Sequence, residues 1–302
     1  MSGVSRLLGR TLLAAAGRYG TRAILGAIRR SSLGPSLDRV NHRAAPVSLA
    51  AGPAFALGAS VTAAAGARTP AVGSAALVAG LGSGAVGMYD DAVGSRPEEA
   101  VKGLRGHLSA LRRGRVTSGT VKIVGIGAAA VAAAALIGRA RGQTRAAALP
   151  SRRAQRRSAA APLSRGGRAA DLLIDAGLIA GAANLTNLLD LRPGRALKAG
   201  LALAGPLARG SDSDLLAGPV GAASALLPDD LDERVMLGDA GANAWGALLG
   251  VAAAQSRGRL ARAALLAGIV GLTLASEKVS FTEVIESTPG LRDLDAWGRR
   301  PR

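Results

Sequence analysis

Asp90 and Asp91 stand side by side where an uncharged apolar run, Pro70 to Met88, opens onto a basic loop containing Arg96, Lys102, Arg105, Arg112, Arg113 and Arg115. Neighbouring carboxylates repel each other and are costly to desolvate at a membrane edge. A divalent cation, or a phosphate with its counter-ions, offsets that cost, so the pair reads as a cation- or phosphate-handling site. The plain alternative is a capped helix end with solvated acids. Further acids stand at comparable junctions. Asp190 closes the run Asn184-Leu185-Thr186-Asn187-Leu188-Leu189, and Asp239 lies in Leu237-Gly238-Asp239-Ala240-Gly241. Lys122, near the start of another apolar run, either snorkels to the headgroups or points at a phosphate. Arg192 and Arg195, around Pro193, either contact a phosphate or act as basic flanks of the neighbouring spans.

The elements that would position these residues are membrane helices. The chain has 302 residues, a net charge of +18 and a mean hydropathy of +0.26. High charge and high hydropathy coexist when apolar spans alternate with basic loops. The expected fold class is all-α, a polytopic transmembrane helical bundle of about nine to ten spans. Residues 1–302 form one integral membrane domain with basic loops at about 89–118 and 139–168 and a polar tail from about 276. The first segment, Met1 to Arg30, reads as a poorly hydrophobic span or as an amphipathic helix lying on the membrane. The following spans are expected at about Leu49–Ala67, Pro70–Met88, Gly119–Gly138, Ala169–Leu188, Ala196–Ala208, Leu215–Leu227, Ala244–Gln255 and Leu260–Ala275. They are built mainly of Ala and Gly, which suits close helix packing in lipid.

Composition also excludes chemistries. The chain has no Cys, so disulfides and thiolate metal sites are ruled out, and its only histidines, His42 and His107, argue against a His-rich zinc centre. Gly82-Ser83-Gly84-Ala85-Val86-Gly87 matches G-x-G-x-x-G. These glycines lie inside an apolar run that ends in two acids, so helix packing explains them better than a dinucleotide loop does. The positive charge flanks apolar spans and no aromatic stacking set accompanies it, which points to anionic lipids and membrane orientation, with no nucleic acid as partner.

Counting spans puts the junctions bearing Asp90/Asp91, Asp190 and Asp239 on one side of the membrane, with Asn184 and Asn187 at the same edge. Each such group needs a partner there, and magnesium, a pyrophosphate and basic side chains would supply partners together. The same count puts the basic segment Arg139–Arg168 on the opposite side, against the positive-inside tendency.

Four places in order resemble the polyprenyl-phosphate N-acetylhexosamine-1-phosphate transferase superfamily (glycosyltransferase family 4), which includes the phospho-N-acetylmuramoyl-pentapeptide transferases of peptidoglycan synthesis. Asn41-His42-Arg43 with Pro46-Val47-Ser48 is similar to its first cytoplasmic loop. Asp90-Asp91, with Lys102-Gly103-Leu104 and Lys122 downstream, is similar to its paired-aspartate motif. Asn187-Leu188-Leu189-Asp190 and Leu237-Gly238-Asp239-Ala240-Gly241 are similar to its Asn-Leu-x-Asp and Gly-Asp-x-Gly motifs. The resemblance implies a cell-wall transferase of the bacterial inner membrane, multi-pass, with its active site facing the cytoplasm. It would move a sugar 1-phosphate from a UDP-linked amino sugar to a polyprenyl (undecaprenyl or decaprenyl) phosphate and release UMP, with Mg2+ as cofactor. The implied catalytic residues are Asp90, Asp91 and Asp239, with Asp239 and Asp91 at the metal. The implied substrate-binding residues are Lys102, Lys122, Asn184, Asn187, Asp190, Arg192 and Arg195. Membrane lipids are implied partners, and a homodimer stays open.

The chain departs from this pattern in two places. Pro193 stands where the family carries a second Asp three residues after Asp190, and the last loop, Ser276–Trp297, has no His where the peptidoglycan-precursor enzymes carry a cluster. Sugar or nucleotide recognition must therefore differ. The alternative reading is a catalytically degenerate relative serving as a membrane scaffold or lipid-carrier-binding protein.

Overall fold

The computed structural model describes residues 3–41, 44–93, 106, 109–110, 112–114, 116–147, 165–208, 214–256 and 258–300. Eleven helices account for most of them: α1 (Gly3–Arg30), α2 (Ala51–Ala65), α3 (Pro70–Val93), α4 (Ser118–Ala147), α5 (Arg165–Leu189), α6 (Arg195–Leu207), α7 (Ala217–Leu231), α8 (Gly238–Ser256), α9 (Arg259–Ser276), α10 (Phe281–Ser287) and α11 (Pro289–Ala296). A short hairpin, β1 (Asp38–Val40) and β2 (Pro46–Ser48), pairs antiparallel with Arg39 opposite Val47. The expected all-α class holds, and the hairpin is the addition to it. It sits between α1 and α2 and is extended by Ser48, which accepts from the amide of Met236 at 3.0 Å.

α8 is the axis of the bundle, packed against α2, α3, α5 and α6. Its residues Ala244, Trp245, Ala247, Leu248, Val251 and Ala254 are fully buried. Trp245 meets Phe55 of α2 edge to face, with ring centroids 5.5 Å apart. Small residues set the spacing: a Cβ on Gly87 would run into the carbonyl of Asp239, and one on Gly246 into the backbone of Ala182 and Ala183. Only side-chain-free positions let α3 and α5 approach α8 this closely.

The N-terminal segment forms α1. It packs lengthwise on α7 and α2, with Gly17 against Gly218 and Thr21 against Gly58. Arg10 pairs with Asp214 at 2.6 Å, and Arg22 donates to the carbonyl of Ala225 at 3.2 Å. It is a member of the bundle. From α1 to α9 the helices then alternate in direction, so that α3, α5, α7 and α9 all end where α4, α6 and α8 begin.

Among the described residues four helices are long and apolar enough to cross a membrane: α3, α4, α5 and α9. The chain is therefore a helical membrane protein. α2, α6 and α7 have 15, 13 and 15 residues, about 20–22 Å of helix at 1.5 Å per residue against a hydrocarbon core of about 30 Å. Helix length and composition support four of the expected nine to ten spans among the described residues. The helices also run past the expected span ends. α3 continues through Asp90 and Asp91, and α4 continues beyond Gly138 through Arg141.

Candidate functional site

α3, α4, α5 and α8 bring their site-end termini together. Asp90 and Asp91 lie in the last turn of α3, Lys122 in the first turns of α4, Asn187 in the last turn of α5, and Asp239 at the start of α8. Lys122 Nζ lies 3.2 Å from Asp90 Oδ2 and also donates to Asp239 Oδ2. With its amide turned to satisfy both neighbours, Asn187 donates to Asp239 Oδ1 at 2.7 Å and accepts from Lys122 Nζ at 2.9 Å. One ammonium thus bridges two carboxylates from separate helices, with an amide closing the ring.

Asp91 does something different. Its Oδ1 accepts from the amide of Asp239 and its Oδ2 from the amide of Ala240, both at 3.0 Å. It caps the N-terminus of α8 from outside the helix, where unpaired amides and the helix dipole favour a negative charge. Gly238 makes this geometry possible. It holds φ +62°, and a Cβ there would crowd Leu49 and the Asp91 carboxylate. The sequence placed Asp91 at the metal; here its oxygens hold α8 and so position Asp239.

Beside this ring is a cavity of about 260 Å³ lined by Arg39, Asn41, Asp190, Arg192, Asp230 and Glu233 together with apolar side chains such as Leu49 and Met236. Arg39 donates to the carbonyl of Asp91 at 3.2 Å, and Asn41 to Glu233 at 2.7 Å. Asp190 Oδ2 is buried without a hydrogen-bond partner among the described residues. Burial, together with the charges of Asp230, Asp239 and Asp91, pushes its carboxyl well above the ordinary range against one hydrogen bond from the backbone of Gly238. Asp230 is buried near the end of α7. Its Oδ2 accepts from Gly194 at 2.6 Å.

Other expected residues fall elsewhere. Arg195 is buried in a bidentate pair with Asp295, at 2.8 and 2.9 Å, and donates to Thr282 at 3.0 Å. Arg192 pairs with Glu286 at 2.9 Å. These two arginines anchor the C-terminal segment, so the phosphate contacts expected of them do not form part of the ring. Asn184 lies half-buried one turn deeper on α5 than Asn187 and makes none of the ring's hydrogen bonds. Lys102, with His42 and Arg43, lies outside the described residues. Sequence reasoning missed Arg39 and the partners of Arg195. Arg39 was one of several basic residues in its loop, and Asp295 lies 100 positions from Arg195.

A second charged group occupies the opposite end. Asp175, 1% exposed, accepts from Arg141 and Arg262, while Asp171 pairs with Arg259 at 2.6 Å and Arg262 at 2.7 Å. Arg141 also donates to the carbonyl of Ala254. This network ties α4, α5, α8 and α9 together.

Magnesium is commonly held by one or two carboxylates, with phosphate oxygens and waters completing the octahedron, rather than by an all-protein cage. The described residues form no group of three or more acidic or imidazole side chains placed as such a cage. Asp90 and Asp239, hard oxygen donors already sharing one cation, fit the sparser pattern. No family model and no curated protein matches this chain.

Proposed function

We propose that the chain is a sugar-phosphate transferase of the bacterial inner membrane, working at the cytoplasmic face on a UDP-linked amino sugar and a polyprenyl phosphate. The observation that carries this reading is the meeting of Asp90, Lys122, Asn187 and Asp239, from four helices, at one end of a membrane bundle. In the proposed reaction an oxygen of the lipid phosphate attacks the β-phosphorus of the UDP-sugar. The bond from that phosphorus to the bridging oxygen breaks, and UMP leaves with the bond electrons. Two anionic groups must be brought together, so positioning and charge neutralisation supply most of the rate. Asp239 and Asp90 would hold magnesium, which when bound offsets phosphate charge. Asp90 orients the lipid phosphate and accepts its remaining proton. Lys122, able to turn from its carboxylates to an arriving phosphate, neutralises charge developing on the diphosphate. Asn187 and Asp190 hold the nucleotide side, next to the cavity, and Asp91 keeps Asp239 in place through α8. The nine alternating helices then form the membrane domain, the shorter ones spanning with the help of their neighbours.

Purified protein with magnesium, labelled UDP-N-acetylhexosamines and undecaprenyl phosphate should release UMP, and Asp239→Asn should abolish that release. Asp90→Ala should weaken the dependence on lipid phosphate more than nucleotide binding; equal loss of both would contradict its role. One observation favours the scaffold reading instead: Lys122 bridges Asp90 and Asp239, a pairing that a purely structural ion pair between helices would also make. Failure to release UMP from any donor, the pentapeptide precursor included, decides for a non-catalytic lipid-carrier-binding protein.

A further inference from the structure

The segment after α9 takes no part in the carboxylate–ammonium ring, and it carries an apolar ridge. α10 buries no residue, and α11 buries only Asp295. Along the two helices Val284 is 41% exposed, Leu291 46%, Leu294 66% and Trp297 75%. A soluble tail gains nothing from such a row, and its fold does not use it as core.

The segment is nevertheless held in place. Asp295 receives Arg195 and Arg299, and these two arginines hold its carboxyl below the usual range although burial alone would raise it. Arg299 donates to the carbonyl of Pro193 at 2.9 Å. Lys198 donates to the carbonyls of Leu294 and Asp295 at the end of α11 and to that of Trp297 just past it. Successive helical residues are about 100° apart, so with Asp295 turned to the bundle Leu294 lies on the flank of α11, while Leu291, one turn before Asp295, lies nearer the bundle side and is the less exposed of the two.

α9 sets the level at which this ridge lies. It is long and apolar enough to cross a membrane, and only 6% of its apolar window is buried in the fold, so its flank borders lipid. It ends at Ser276 and α10 begins at Phe281. The residues between them reach at most about 14 Å when extended. α10 and α11 therefore stay close to the bilayer surface, the depth at which Trp is enriched.

We propose that α10 and α11 form an interfacial foot, seated in the polar–apolar boundary of the leaflet at the site end. Leu291, Leu294 and Trp297 enter the upper acyl region, and Lys278 and Arg292 meet headgroup phosphates. The partner is the lipid surface itself. Since the foot is tied to Pro193 and Arg195, just after Asp190, it fixes the depth of the cavity relative to the headgroups. The inference requires α9 to cross the membrane and is independent of any transferase activity.

The test uses the whole protein in vesicles of phosphatidylcholine and phosphatidylglycerol. The chain has two tryptophans, and Trp245 is fully buried, so the difference between wild type and Trp297→Phe isolates Trp297. Its emission should be quenched more by lipids brominated near the top of the acyl chain than by deeply brominated ones, and should resist aqueous iodide. Leu291→Gln with Leu294→Gln should lower bromine quenching and raise iodide quenching while leaving thermal unfolding unchanged. Full access of iodide in vesicles would overturn the foot. Protection from both quenchers would also overturn it, since the ridge would then be covered by protein, a second copy included.

Discussion

Among single residues, Asp91 separates two accounts of the paired acids. As a metal ligand its loss would appear in the magnesium dependence of activity and leave folding alone. As the cap of α8, accepting from Asp239 and Ala240, it contributes to stability directly. Side-chain caps of a helix N-terminus are worth about 0.5–2 kcal/mol. Asp91→Ala is therefore expected to lower the thermal midpoint of the purified protein, whereas Asp91→Asn, which keeps one acceptor, should recover part of the loss. A normal midpoint in Asp91→Ala with a raised magnesium requirement would return Asp91 to the metal. The sequence exposed Asp90, Lys122, Asn187 and Asp239 because each is a polar group at the margin of an apolar run, where an unpartnered group is costly. It could not divide the labour between Asp90 and Asp91, because the two differ by a 100° turn of α3 toward different helices, and nothing local in the chain records which helix lies there. Arg195 was misread for the opposite reason. A basic residue at a span end has an ordinary use as a flank, and its buried partner Asp295 is distant in sequence.

Helix ends were read too short, and the cause is electrostatic. A sequence-based span stops at the first charge because an isolated charge in hydrocarbon is expensive. α4 continues through Arg141 because Asp175 and the carbonyl of Ala254 satisfy that guanidinium. The turn between α7 and α8 shows the same kind of compensation at the site end. Asp230, 3% exposed, sits near the end of α7 and accepts from Gly194 at the start of α6. Asp230→Asn keeps an acceptor for the Gly194 amide and should leave the thermal midpoint close to that of the wild type. Asp230→Ala leaves that buried donor without its acceptor, a loss of about 1–3 kcal/mol, and should lower the midpoint. Equal midpoints for the two variants would mean that the hydrogen bond does not hold α6 to α7.

For the molecule as a whole, the question is which end faces which side of the membrane. The alternation of α1 to α9 places the hairpin, the ring and the C-terminal helices at one end and the α8–α9 turn at the other. Arg139, Arg141, Arg165 and Arg168 stand at the end away from the ring, against the positive-inside tendency. At that end Arg141, Arg259 and Arg262 share the two carboxylates of Asp171 and Asp175. The sequence could supply the alternation, because it follows from counting apolar runs, but not this pairing, which needs α5 and α9 side by side. The chain has no cysteine, so single introduced cysteines report topology without background. Ser36 and Thr288 are exposed at the ring end, and Gly258 is exposed at the other. In intact spheroplasts a membrane-impermeant maleimide should label Gly258→Cys and spare Ser36→Cys and Thr288→Cys; in inside-out vesicles the pattern should invert. Labelling of all three from one side would mean that the helices do not carry the chain across the bilayer between these ends, and a ring of Asp90, Lys122 and Asp239 could then not face a cytoplasmic pool of nucleotide while the C-terminal helices rest on the same leaflet.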